Sequence, residues 1–428
     1  MRAALPPWIR FDRHELAGGL GDVGLFVPLA VALVAVNGLD ATAVFAAAGL
    51  VYVATALYFR VPVPVQPLKA FAAAAIALKL GADVIAAGAL TMAVAMLLLS
   101  VGGAATWLAR RFPMVLVRGI QASVALLLAK AAVDLAQKGN WKGLPAIDPA
   151  VGLTLAGASC AVLVALSVGA RRRAVPGTLV VLGAGVVVGA AVGGAPDLSL
   201  GPQAPSLSLP SEGAFATALT SLVVAQLPLT FGNSVVATAD AERMYFGERA
   251  RRVVPHRLAA SIGLSNLLTG LTGAMPVCHG AGGVTAHVKL GARTAGATLS
   301  VGALYLGLAL VFGASLPALL TLLVPGVLAG MLLYVALQHA MLAGSLETLP
   351  DRLLAAGVGV VTLASGNLGI GFAAGAAVLA GRAVARRARM PGVGFEPTRP
   401  EGQPGLSRRA SAITPPGREG AEDFRGAT

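Results

Sequence analysis

Long apolar blocks alternate with short polar breaks along most of the chain. Leu25 to Val36, Val84 to Val101, Val151 to Val168, Gly177 to Val192 and Val301 to Leu316 carry no charged residue. Such lengths suit helices crossing a hydrocarbon core about 30 Å thick. Glycine, proline and charge supply the punctuation between blocks. They predict fourteen spans, at about 16–36, 41–59, 62–80, 83–107, 113–135, 150–170, 176–194, 212–239, 256–273, 274–290, 294–316, 322–343, 352–366 and 367–383. The fold class expected is therefore an all-α polytopic membrane protein.

The spacing of one pattern implies an internal repeat. Val63-Pro64-Val65-Gln66 resembles Met275-Pro276-Val277-Cys278 at an offset of 212. The same offset carries Pro113, which opens the fifth span, onto Pro325, which opens the twelfth. It also carries Gly21-Asp22-Val23 onto Asn233-Ser234-Val235. Two sets of seven spans follow. An odd number per set turns the second copy upside down, giving 7+7 inverted repeats.

The third and tenth spans are broken at matching places. "VPVPVQPLKAFAAAAIALKL" carries Pro62, Pro64 and Pro67, so helix can begin only near Pro67. In "GAMPVCHGAGGVTAHVKLGARTAG", Pro276 blocks helix and the glycines open a second half-helix running towards Lys289. Extended chain is expected near 62–66 and 275–278, the two pieces lying close together in mid-membrane. Unwound backbone at that depth is tolerated only where protein or a wet cavity satisfies it. Two half-helix N-termini facing one another suit an anion.

Composition and charge refine this picture. The chain has 428 residues, 56% hydrophobic and 12% charged, roughly half the charged fraction of a soluble domain. Its net charge of +13 falls between spans, where the positive-inside rule places Lys and Arg, and no nucleic-acid partner is expected. Arg2, Arg10 and Arg13 precede the first span; Arg110, Arg111, Arg171, Arg172, Arg173, the cluster Arg243 to Arg257, Lys289, Arg293 and Arg382 follow even-numbered ones. Both termini are expected on the cytoplasmic side of a bacterial-type inner (plasma) membrane, with Lys138 and Lys142 as exceptions to the charge rule. The first residues, basic and amphipathic, lack a signal-peptide pattern.

The organisation expected is a cytoplasmic N-terminus (1–15), a first repeat (16–194), an external loop (195–211), a second repeat (212–383) and a disordered cytoplasmic tail (384–428). Cys160 and Cys278 lie in different apolar segments and predict neither a disulfide framework nor a zinc site. No cofactor is expected, and no metal. His287 is eight residues from His279, with no neighbouring carboxylate or second thiol in the sequence. No nucleophile–base set or GxxxxGK[ST] loop occurs, arguing against an enzyme or direct ATP drive.

"PVPVQPLKAFAAAAIA", "QLPLTFGNSVVATADA" and "GAMPVCHGAGGVTAHVKLGARTAG" resemble the signature blocks of the molybdate transporter family, a branch of the sulfate-permease superfamily. The resemblance runs from about Glu15 to Gly381. It implies fourteen spans in inverted repeats, a core and a gate domain, and substrate between the third and tenth spans near the first and eighth. The short Pro-, Gly-, Arg- and Ser-rich tail after the last span is not expected to form the soluble regulatory domain usual in sulfate permeases, an expectation that favours the molybdate branch.

The reading that results is a secondary transporter of a tetrahedral oxyanion, molybdate first, with sulfate or tungstate as alternatives. Nucleobase–cation symporters share the fold but generally place a carboxylate in the eighth span. Here Gln226, Thr230, Asn233 and Ser234 form that face, by their i, i+4, i+7, i+8 spacing. Substrate contacts are expected from Gln66, Pro67 and Leu68, from Asn233 and Ser234, and from Cys278, His279, Gly280, Gly282 and Gly283. Lys69 either supplies charge or snorkels. Asp22, a carboxylate inside a span, is the coupling candidate. Asp240 and Glu242 are expected in a cytoplasmic loop, and Lys130–Asp134 as an i, i+4 pair. The bilayer and the oxyanion are the partners expected, with a homodimer left open. A topology reporter fused to the C-terminal tail is expected to read cytoplasmic; an external reading would reverse the orientation.

Overall fold

The computed structural model describes residues 6–104, 107, 113–138, 148–169, 177–204 and 209–388. Arg110, Arg111, Lys142, Arg171 to Arg173 and the tail beyond Ala388 lie outside the described residues. The chain divides into a unit Met1–Gly381 and a unit Arg382–Thr428; the fold below is that of the first.

Among the described residues, fourteen helical stretches follow one another. They are α1 (Arg13–Asn37), α2 (Ala41–Phe59), α3 (Lys69–Leu78), α4 (Ala82–Ser100), α5 (Met114–Lys138), α6 (Pro149–Gly169) and α7 (Gly177–Gly193). The second set is α8 (Glu212–Ala250), α9 (Pro255–Leu271), α10 (Ala281–Leu290), α11 (Gly296–Leu320), α12 (Pro325–Ala343), α13 (Leu349–Ser365) and α14 (Leu368–Ala388). Two short strands, β1 (Gln66–Pro67) before α3 and β2 (Val277–Cys278) before α10, complete the elements. Nine of these stretches are long and apolar enough to cross a membrane.

The ends of the ordinary helices follow local rules. Asp12 and Asp40 cap α1 and α2, accepting from His14, Glu15 and Ala43 backbone N–H groups. Backbone hydrogen bonds from Glu15 and His14 hold the exposed Asp12 carboxyl below the usual carboxylate range. Proline takes the first turn of α9 and α12. Gly38 (φ 76°) closes α1 in the left-handed region.

The 212-residue offset holds element by element. Adding 212 to Lys69–Leu78 gives 281–290, the bounds of α10; Phe59 maps onto Leu271, where α9 ends. Met114 plus 212 gives 326, one residue from the start of α12. The register drifts later: Pro149 plus 212 gives 361, inside α13. Packing obeys the same exchange. α2 packs on α11 as α9 packs on α4; α5 packs on α12; α12 packs on α6 as α5 packs on α13. The architecture is the expected 7+7 repeat.

The eighth span departs from the sequence reading in its end and in its internal geometry. The eighth span was expected to end at 239, with Asp240 and Glu242 in a loop; helix instead continues to Ala250, and Glu242 is fully buried. "TADAERMYF" contains no glycine or proline, so charge ended the apolar run without ending the helix. Within α8, Leu219–Val223 and Thr230–Ala237 are π-helical, which shifts the face that a period of 3.6 assigns.

Small residues set the closest crossings. A Cβ on Gly49 of α2 would stand 2.7 Å from the Leu306 backbone nitrogen and 3.0 Å from the Gly302 carbonyl oxygen. Gly49→Val is expected to cost about 1–3 kcal/mol through overpacking, read as a lower thermal midpoint in detergent. Gly307→Val, whose Cβ meets nothing within 4 Å, is the control expected to leave the midpoint unchanged.

Candidate functional site

The site is built around a backbone problem. Between α2 and α3 the chain from Val61 to Leu68 is extended apart from a bend at Val61, and buried throughout. Its prolines remove donors, and its carbonyls need partners that a bilayer does not offer. Part of the answer is the second break. β1 pairs antiparallel with β2, Gln66 opposite Cys278 and Pro67 opposite Val277, and Leu68 N–H donates to the Pro276 carbonyl at 3.0 Å. The expected meeting of the two extended pieces is what the structure contains.

Side chains supply the rest. His287 Nδ1 donates to the Pro62 carbonyl (3.0 Å) and Thr298 Oγ1 to Val63 (3.1 Å). His279 Nδ1 donates to Pro64 (2.8 Å), and the Tyr52 hydroxyl donates to Val65. Four consecutive carbonyls are met by four side chains. On β2, the Asn266 amide accepts from Val277 N–H (3.2 Å) and donates to its carbonyl (2.7 Å). The far end of α3 is held by the Asn37 amide, which donates to Ala75 (2.7 Å) and Leu80 (2.8 Å).

Asp22, on α1, joins this frame from the side. Its Oδ1 accepts from the Gln66 Nε2 amide at 3.0 Å. Its Oδ2 lies 2.8 Å from His287 Nε2 and 3.1 Å from the Tyr52 oxygen. Asp22, Gln66, Tyr52 and His287 are all buried. The sequence placed no carboxylate beside His287; folding brings Asp22 there across 265 positions. Among the described residues no group of three His, Cys, Asp or Glu could hold a metal.

The predicted substrate residues separate into used and free groups. His279 has both ring nitrogens engaged, Nδ1 by Pro64 and Nε2 by the Ser261 hydroxyl at 2.9 Å, so its imidazole ties the two halves together. Leu68 has given its N–H to Pro276, and Pro67 has none. Cys278 is buried with its thiol 3.7 Å from the Pro67 carbonyl, and Ser234 lies against it. Gln226 accepts from Phe71 N–H (2.9 Å) and donates to Thr230 (2.9 Å), so this part of the α8 face caps α3.

What stays free clusters at the two helix starts. Neither α3 nor α10 has a side-chain cap at its N-cap residue, Leu68 or Gly280. The Gln66 amide packs against Gly280 and Gly283, and its Oε1 is buried without a hydrogen-bond partner among the described residues. The half-buried Asn233 amide lies beside Gly280, 3.5 Å from where a Cβ would be, and takes no hydrogen bond among the described residues. Gly282 fronts open space. Lys69, in the first turn of α3, makes no ion pair or hydrogen bond among the described residues and stands within electrostatic reach of Asp22, Cys278 and His339.

Sequence reasoning missed Tyr52, Thr298, Asn266 and the structural part of His287. A polar side chain inside an apolar block was their one signal. Lys130 and Asp134 form the expected pair at 3.0 Å, exposed and away from this centre. Gly283→Val is expected to unfold or strongly destabilise the protein, because its Cβ would run into Gln66 and Pro64. Gly282→Val is expected to keep the wild-type thermal midpoint in the same assay.

Residues 14–128 and 218–339 match a family model described as "molybdate transporter of MFS superfamily". Molybdate transporter 1 of Arabidopsis thaliana is 30% identical over 84% of this chain and 86% of its own length. Molybdate transporter 2 of the same plant is 28% identical over 84% and 85%. Molybdate transporter 1 of Chlamydomonas reinhardtii is 28% identical over 90% and 95%. Among solved structures, the transmembrane domain of the cyanobacterium bicarbonate transporter BicA aligns with a TM-score of 0.63 at 16% identity, covering 84% of this chain and 97% of that one. SLC26A9 aligns with a TM-score of 0.58 at 16% identity, covering 87% and 65%. These two likenesses are of fold. The six-span halves of major facilitator transporters are a different plan from the seven-span repeats seen here.

Proposed function

Because this chain belongs to the molybdate transporter family, we propose that it is a secondary transporter carrying molybdate across the membrane, and that the anion binds between the starts of α3 and α10. One observation carries the placement: two helix N-termini, neither capped by the side chain of its own N-cap residue, are held against each other at the paired breaks, beside Lys69, which makes no ion pair among the described residues. Helix N-termini offer N–H groups and partial positive charge to an anion. Lys69 adds a full charge, and the Asn233 and Gln66 amides add neutral polar atoms for a tetrahedral rim. The glycines at 280 and 282 keep the α10 backbone open to close approach.

The surroundings support this reading. Where the N-terminal segment meets the loops after α2, α8 and α10, Arg60, Arg249, Arg251, Arg252 and Arg293 line a cavity of about 380 Å³. Basic walls raise the local concentration of anions. On the expected topology this cavity faces the cytoplasm.

Labelled molybdate uptake into proteoliposomes tests the function, with excess sulfate as competitor. Uptake that ignores added molybdate, or that sulfate abolishes at equal concentration, would move the substrate elsewhere. Within that assay Lys69→Met is expected to weaken molybdate binding about 10- to 100-fold, the worth of a charge-assisted hydrogen bond, at an unchanged thermal midpoint.

A further inference from the structure

We propose that the Gln66 amide is a proton-controlled latch: molybdate binds when the Asp22–His287 pair takes up one further proton and the amide turns over, so each anion enters with a proton. The inference rests on the anion site proposed above, and its test separates the two.

A carbonyl only accepts, so the 3.0 Å contact with Pro62 fixes a hydrogen on His287 Nδ1. A neutral ring then has a bare Nε2. That nitrogen lies 2.8 Å from Asp22 Oδ2, a contact that needs one hydrogen between the two atoms. The pair therefore holds one proton, as imidazolium with carboxylate or as imidazole with carboxylic acid. Tyr52 cannot supply this hydrogen in full, since its single O–H is directed at the Val65 carbonyl.

With one proton on the pair, Asp22 Oδ1 is an acceptor, and Gln66 must present Nε2 to it. The amide oxygen is then turned to the start of α10. It is buried there without a donor, where a Cβ on Gly280 would stand 2.7 Å from it. An acceptor at the rim of an oxyanion site repels the anion. A second proton reverses the last direction in this chain, the one between Asp22 and Gln66. Imidazolium donates Nε2–H to Oδ2; Oδ1, now protonated, donates to Gln66 Oε1; the NH₂ group turns to the anion. Oxygen and NH₂ of an amide are nearly the same size, so the turn needs no repacking. The pair gains one positive charge as the anion arrives, and no bond other than those to the proton changes.

The other ionisable groups around Asp22 come from each neighbouring element. They are Tyr52 on α2, Lys69 on α3, His279 before α10 and Tyr305 on α11; α7 contributes none. His339 on α12 stands near Lys69. Behind His287 lies Glu242 of α8, buried with both oxygens unpartnered and facing Arg249. Among the described residues, Glu242 is the rival seat that packs directly behind His287.

Calorimetric titration of purified protein with sodium molybdate, in two buffers of different ionisation heat and over a range of pH, counts protons directly. The wild type is expected to take up one proton per anion, with affinity falling up to tenfold per pH unit on the alkaline side. Asp22→Asn satisfies the resting network with neutral His287, its NH₂ donating to Nε2 and its carbonyl accepting from Gln66. It is expected to keep or raise the thermal midpoint while binding molybdate at least tenfold more weakly, a split that a purely structural role would not produce. In Gln66→Met the remaining binding is expected to take up no proton, and in Glu242→Gln the uptake should persist. Binding by the wild type without proton uptake, or uptake lost in Glu242→Gln, overturns the latch and leaves the anion site standing. Absence of molybdate binding at every pH overturns the site itself.

Discussion

Four carbonyls in a row, from Pro62 to Val65, must find donors at a depth where water is scarce, and the centre of the molecule is arranged to provide them. An unsatisfied backbone group in hydrocarbon costs several kcal/mol, so an unpartnered stretch of this length would not persist. The donors are Tyr52, His279, His287 and Thr298. Three of the four come from the second repeat. The break in the first half is therefore stable only when the second half is docked on it. The same dependence fixes the two half-helix starts relative to each other, which is what an anion site between them requires.

The two repeats share a backbone and differ in chemistry. At the 212-residue offset, Lys69 corresponds to Ala281, Gln66 to Cys278 and Asp22 to Ser234. His287 corresponds to Ala75, whose carbonyl is held instead by Asn37. Extended pieces, half-helices and crossing partners are duplicated, while ionisable groups are not. The duplication supplies a symmetric cradle of N–H groups. The divergence puts Lys69 on the α3 side and the carboxylate–imidazole pair of Asp22 and His287 behind β1, on separate walls of one centre.

Much of this was legible in the chain alone. Apolar blocks of span length and their glycine, proline and charge breaks determined fourteen spans, because a bilayer imposes length and forbids charge. The recurrence at 212 determined the inverted halves, and Pro64 and Pro276 determined where helix must stop, since proline acts on its own residue and the one before it. Tertiary structure decided which polar groups remain free. His279 and Leu68 read as ligands from position, and Gln226 as part of the polar face of the eighth span, yet partners distant in sequence consume their hydrogen-bonding groups, while Lys69 and Asn233 are left open among the described residues. Glu242 read as a loop residue and lies buried in a helix that charge failed to end. Asp22 and His287, 265 positions apart, share a hydrogen. Local periodicity records what one segment needs from its solvent, whereas the occupancy of a hydrogen-bonding group depends on which segments arrive beside it.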